Sequence, residues 1–127
     1  MLVSVSAIAF SILTGLVIIF QACLAAGLPW GAASMGGRFP GKYPPKMRVV
    51  AVLNMLAMGF LAALVLADAK LLFPELEPLA KTGIWFVVVF FLLGTVMNSI
   101  SPSKIERIWA PVALLQFIAS LIVAISQ

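Results

Sequence analysis

The stretch GLPWGAASMGGRFPGKYPPKMR, Gly27 to Arg48, interrupts a chain that is otherwise nearly free of charge. It holds four of the eight basic residues, five of the nine glycines and four of the eight prolines. Long apolar runs flank it on both sides, so it reads as a loop between two membrane spans. Its concentration of Lys and Arg assigns it to the cytoplasmic side.

Working outward, composition excludes a soluble fold. Of 127 residues, 64% are hydrophobic and 9% charged, with a mean hydropathy of +1.21, against roughly 45–50% apolar and about 25% charged in ordinary soluble domains. The length fits a single domain, 1–127. The net charge of +4 comes from basic residues beside apolar runs, which favours anionic lipid headgroups over nucleic acid as their partner. Cys23 is the lone cysteine, so no disulfide forms within the chain.

Four spans are expected, at about 3–26, 49–66, 79–98 and 104–126, each approaching the ~20 residues that cross a ~30 Å hydrocarbon core. No Lys or Arg precedes Arg38, so the first span lacks the positive leader of a signal peptide and reads as retained. With the first and third loops inside, six basic residues are cytoplasmic and two are not. The expected fold is therefore an all-α transmembrane four-helix bundle with both termini on the outer side. Trp30, Trp85 and Trp109 fall at span edges, where interfacial aromatics belong.

Local signals refine the helices. Ser103-Lys-Ile-Glu106 fits a capping box that starts the fourth helix near Lys104, with Ser101 before Pro102 as a competing cap. Pro111 is then expected about two turns inside that helix, as a kink. Ala7, Ser11 and Gly15 recur at four-residue spacing, as do Gly59, Ala63 and Ala67, forming stripes that let helices approach closely or provide a homodimer contact.

Chemistry is bounded mostly by what is missing. Without histidine, with one cysteine and with no carboxylate inside an expected span, no catalytic residue, metal ligand set or cofactor-binding residue is assigned. An intramembrane Asp or Glu, which proton-coupled transporters commonly use, is also missing from these spans. What the spans do carry is one carboxamide each: Gln21, Asn54, Asn98 and Gln116, all in the cytoplasmic half. Two readings stand open for them, hydrogen bonding to one another across helices or lining a polar cavity for a small ligand or lipid headgroup. In the loop, Trp30 marks the interface, and Gly36-Gly37 permits a backbone concavity suited to an anion, with Arg38 and Lys42 beside it. Anchoring, lipid phosphate recognition and protein docking all remain compatible with that pattern.

The run Gly27-Leu-Pro29-Trp30-Gly31 with Gly36-Gly37, Pro40-Gly41 and Pro44, and the later Asn98-Ser-Ile-Ser101-Pro-Ser103 with Glu106-Arg107, Trp109 and Pro111, resemble small four-helix bacterial integral membrane proteins of no assigned activity. Met35 departs from that pattern, which has an aromatic residue before the paired glycines. The resemblance implies a multi-pass location in the bacterial cytoplasmic (inner) membrane and no reaction or cofactor. The expected function is that of a non-enzymatic accessory, regulatory or lipid- or small-ligand-binding membrane protein whose functional face is the loop 27–48. Membrane lipids, a homodimer or a larger membrane complex are the expected partners. The alternative is a small oligomeric transporter or channel without an intramembrane carboxylate.

Overall fold

The computed structural model describes residues 1–126, whose regular structure is entirely helical. Helix α1 spans Leu2–Ala26, α2 Pro45–Asp68, α3 Glu77–Ser99 and α4 Trp109–Ile125. All four are long and apolar enough to cross a membrane, α4 together with the 3-10 turn Glu106–Ile108 that leads into it.

The helix ends follow from local chemistry. Helix α1 stops at Gly27, which adopts the left-handed conformation at φ 96°. Its N–H bonds the Leu24 carbonyl at 3.1 Å, and the Leu28 N–H bonds the Cys23 carbonyl at 3.0 Å, the paired closure that a C-terminal glycine allows. Helix α2 begins at Pro45, earlier than Val49, because proline needs no hydrogen-bond acceptor in the first turn. Lys46 and Arg48 thereby join the helix, and its far end extends to Asp68. Helix α3 likewise starts before Leu79, at Glu77, behind a 3-10 turn over Pro74–Leu76.

Helix α4 departs most from expectation. Its α-helical part starts at Trp109, not near Lys104. Only half of the capping box forms: Ser103 Oγ accepts the Glu106 N–H at 3.3 Å, while the Glu106 carboxylate is engaged elsewhere. Pro111 consequently lies in the first turn of α4, where its missing N–H has no intrahelical partner to lose, so the expected interior kink is not required.

Helix α1 packs against α2 and α4, and α3 against α4 and α2, which closes the four helices into a ring in chain order. Across its diagonal, Phe10 of α1 meets Phe91 of α3 edge to face, with ring centroids 5.1 Å apart. Below that contact, toward the end that carries both termini, Val65, Ile84, Val87 and Val123 fill the centre. A smaller cluster of Leu24, Tyr43, Met47 and Ala51 sits at the end that carries the first and third loops. The outer surface is apolar as well, with Ile12, Phe60, Phe86 and Leu93 exposed, the pattern of helices whose surroundings are as apolar as their core.

The small-residue stripes are only partly used within the chain. Ala7 and Ala67 are buried, but a side chain at Gly15 or Gly59 would meet nothing within 4 Å. The glycine that lies against a neighbouring helix is Gly83, where an added Cβ would stand 3.1 Å from Leu64 Cδ1. Phe10 is fully buried, whereas Ile12 is 63% exposed. Phe10→Ala is therefore expected to lower stability by about 3 kcal/mol and Ile12→Ala by less than about 0.5 kcal/mol, measured by denaturant titration of the protein in micelles.

Candidate functional site

The first loop is a folded element. After Gly27 it makes two 3-10 turns, Gly31–Ala33 and Met35–Gly37, and then closes on itself through a 2.8 Å bond from the Gly31 N–H to the Gly41 carbonyl. That closure leaves no room for a side chain, since a Cβ on Gly31 would fall 1.9 Å from the Phe39 carbonyl oxygen. Tyr43 turns inward and is 3% exposed. Its hydroxyl is hydrogen-bonded to that of Ser34, and its carbonyl accepts from Arg48 Nε at 3.1 Å.

The third loop then fastens the first to the helices. Ser103 Oγ donates to the Ala32 carbonyl. Glu106 Oε1 accepts the Gly36 N–H at 3.0 Å and the Ser101 hydroxyl. Ser101 Oγ accepts the Ser103 N–H at 3.2 Å, and its carbonyl accepts from Arg107 Nε at 2.8 Å. Gly36 does adopt a positive φ, 65°, as the expected concavity requires. Its anion, however, comes from the chain itself: Gly36 N–H is taken by Glu106, and Gly37 N–H by the Ser34 carbonyl at 2.8 Å. The Arg38 and Lys42 side chains are exposed, so they do not close around these glycines.

Beneath the docked loop lies a cavity of about 270 Å³. Three of the four carboxamides line it, Gln21 from α1, Asn98 from α3 and Gln116 from α4. Gln116 is only 2% exposed. It donates through Nε2 to Thr14 Oγ1 at 2.9 Å, and its Oε1 has no donor among the described residues. Asn54 does not reach the cavity; α2 contributes Met58, one turn further along. Trp30, Gly36, Gly37, Arg38 and Lys42 are also outside the lining, and the loop contributes Ala33, Ser34, Met35 and Tyr43 instead.

The lining also holds residues that the sequence pattern did not single out as a site. Glu106 is one, and the aromatic rings of Phe20, Phe90, Phe91 and Trp109 are others. Phe20 and Trp109 meet at a tilt of 49° with ring centroids 4.8 Å apart, and the Trp109 indole N–H is buried without an acceptor among the described residues. The available signal was spacing. Phe90, Gly94 and Asn98 succeed one another every four residues on α3, and Trp109, Ala113 and Gln116 follow the same face of α4. Among the described residues, Glu106 and Tyr43 are the only titratable side chains in the wall. The cavity thus offers apolar surface, hydrogen-bonding groups and one carboxylate.

Compared with family models, with curated proteins and with solved structures, the chain finds no match.

The Thr14–Gln116 bond provides a test of how this wall is held. Gln116→Leu should cost about 1 kcal/mol by leaving the buried Thr14 hydroxyl without its partner. Adding Thr14→Val should recover much of that loss, giving a measurable coupling in a double-mutant unfolding cycle.

Proposed function

We propose that this chain is a non-enzymatic, multi-pass protein of the bacterial cytoplasmic membrane. It binds a small molecule or lipid in the cavity under its first loop and acts as an accessory or regulatory component. One observation carries the reading: residues from all four helices and the folded loop surround a single cavity of about 270 Å³, a size within reach of small-ligand sites, which run from about 300 Å³. The wall contains hydrogen-bonding groups for orientation and one carboxylate, Glu106, whose Oε1 is already engaged by the Gly36 N–H and the Ser101 hydroxyl, with no histidine, cysteine or lysine beside it, which favours binding over chemistry.

The orientation rests on charge. The loops at the cavity end and the first turn of α2 carry six of the eight basic residues, so that end faces the cytoplasm and both termini lie outside. Exposed Arg38, Lys42 and Lys46 are available to anionic headgroups, and the apolar outer surface to acyl chains. A second copy or a larger membrane complex could pack on that same surface through the unused Gly15 and Gly59 positions.

A transporter or channel is less well supported. Between the cavity and the terminal end, the centre is occupied by Phe10, Val65, Ile84 and Val87, and the buried polar side chains there are few, Ser6, Ser120 and Asp68 among the described residues. Asp68, buried at the terminal end with Oδ2 unpartnered among the described residues, stands on the far side of that plug.

Two measurements check this function. In a Cys23→Ser background, a cysteine replacing exposed Lys42 should react with an impermeant maleimide only from the cytoplasmic side, and one replacing exposed Glu75 only from outside; the opposite pattern overturns the orientation. Gly94 lines the cavity and has open space at its Cβ position. Gly94→Leu should therefore fill the cavity and keep the helix, whose propensity favours Leu over Gly by about 0.8 kcal/mol. Native mass spectrometry should find a bound species on the parent protein that is lost in this variant; retention would mean that the ligand sits elsewhere.

A further inference from the structure

We propose that the cavity selects an organic ammonium ion, with its cationic head toward Glu106 and its apolar part against the aromatic rings. This rests on the binding function above and fixes the chemical class of the ligand.

The sign of charge is the first argument. The chain carries a net charge of +4, yet no Lys or Arg lines the cavity, and Glu106 is its one charged lining residue. The partners of that carboxylate, the Gly36 N–H and the Ser101 hydroxyl, are uncharged and both address Oε1. Oε2 has no protein donor among the described residues. That oxygen is left to pair with a bound cation.

The second argument is the wall. Phe20, Phe90, Phe91, Tyr43 and Trp109 all border the space. Aromatic faces carry the negative part of the ring quadrupole and attract an alkylated ammonium group, more strongly where water is excluded. Gln116 supplies a further acceptor in Oε1, on a side chain that is 2% exposed. The Gln21 and Asn98 carboxamides present acceptors as well as donors, so they do not oppose a cation.

The third argument is that an anion has lost its natural seat. The glycine amides that would cradle a phosphate are already bonded to Glu106 and Ser34, and none of the loop's cations lines the cavity. A cavity of about 150 Å³ holds benzene, so 270 Å³ accommodates one aromatic ring joined to a substituted ammonium group.

The test is calorimetric titration of the whole protein in zwitterionic nanodiscs, with empty discs subtracted. Three probes of matched shape and different charge are used: benzyltrimethylammonium, its neutral isostere neopentylbenzene, and phenylmethanesulfonate. The cation should bind saturably at one site, at least tenfold more tightly than either of the others. Glu106→Gln should weaken the cation at least tenfold more than it weakens the neutral probe. Equal affinity for cation and neutral isostere, preference for the sulfonate, or full cation affinity in Glu106→Gln overturns the proposal while leaving a binding cavity in place. Absence of binding by all three, with Gly94→Leu indistinguishable from the parent, overturns the cavity function as well. If Glu106→Gln does not fold, the charge series on the unaltered chain still decides.

Discussion

A single hydrogen bond from the Gly36 N–H to the Glu106 carboxylate joins positions 70 residues apart, and the cavity end of the molecule is organised around it. The bond holds the first loop over the helix ends, and it requires a positive φ at Gly36 that a side chain rarely adopts. It also diverts Glu106 from capping α4, so the α-helix starts at Trp109 and Pro111 falls in the first turn. Ser101 and Ser103 bridge the remaining polar groups, each acting as both donor and acceptor.

The helices were legible because charge-free runs of the right length have few alternatives. Their ends were legible where a residue had one local use, as with Gly27 at the close of α1, and less so where it had two. Glu106 satisfies the sequence rule for a capping box, but a carboxylate that can reach a distant backbone amide has a competing partner that spacing cannot show. The carboxamide layer was three-quarters visible. Gln21, Asn98 and Gln116 converge, whereas Asn54 falls short of the wall because α2 approaches the centre at Met58. The aromatic part was hidden because Phe and Trp in an apolar chain look like ordinary packing until the opposing helices show what lies between them.

Charge illustrates the difference between sum and position. The cations of the first loop suggest an anion as its partner, and their number supports an assignment of membrane side. None of them lines the cavity, however, and the one lining charge is negative. The loop thus has two surfaces of opposite character: an outer one with exposed cations and an inner one built from Ala33, Ser34, Met35 and Tyr43. Composition reports only the first of these, since four exposed or half-exposed cations outweigh one inward carboxylate in any count.

The uneven filling of the bundle has a mechanical consequence. The terminal half is packed by interlocking rings and branched side chains, while the loop half holds the partly open cavity. Hydrostatic pressure favours states in which voids are eliminated or hydrated, so the two halves differ in compressibility. The loop half is the compliant one, and a ligand filling its cavity would stiffen it toward the rigidity of the other.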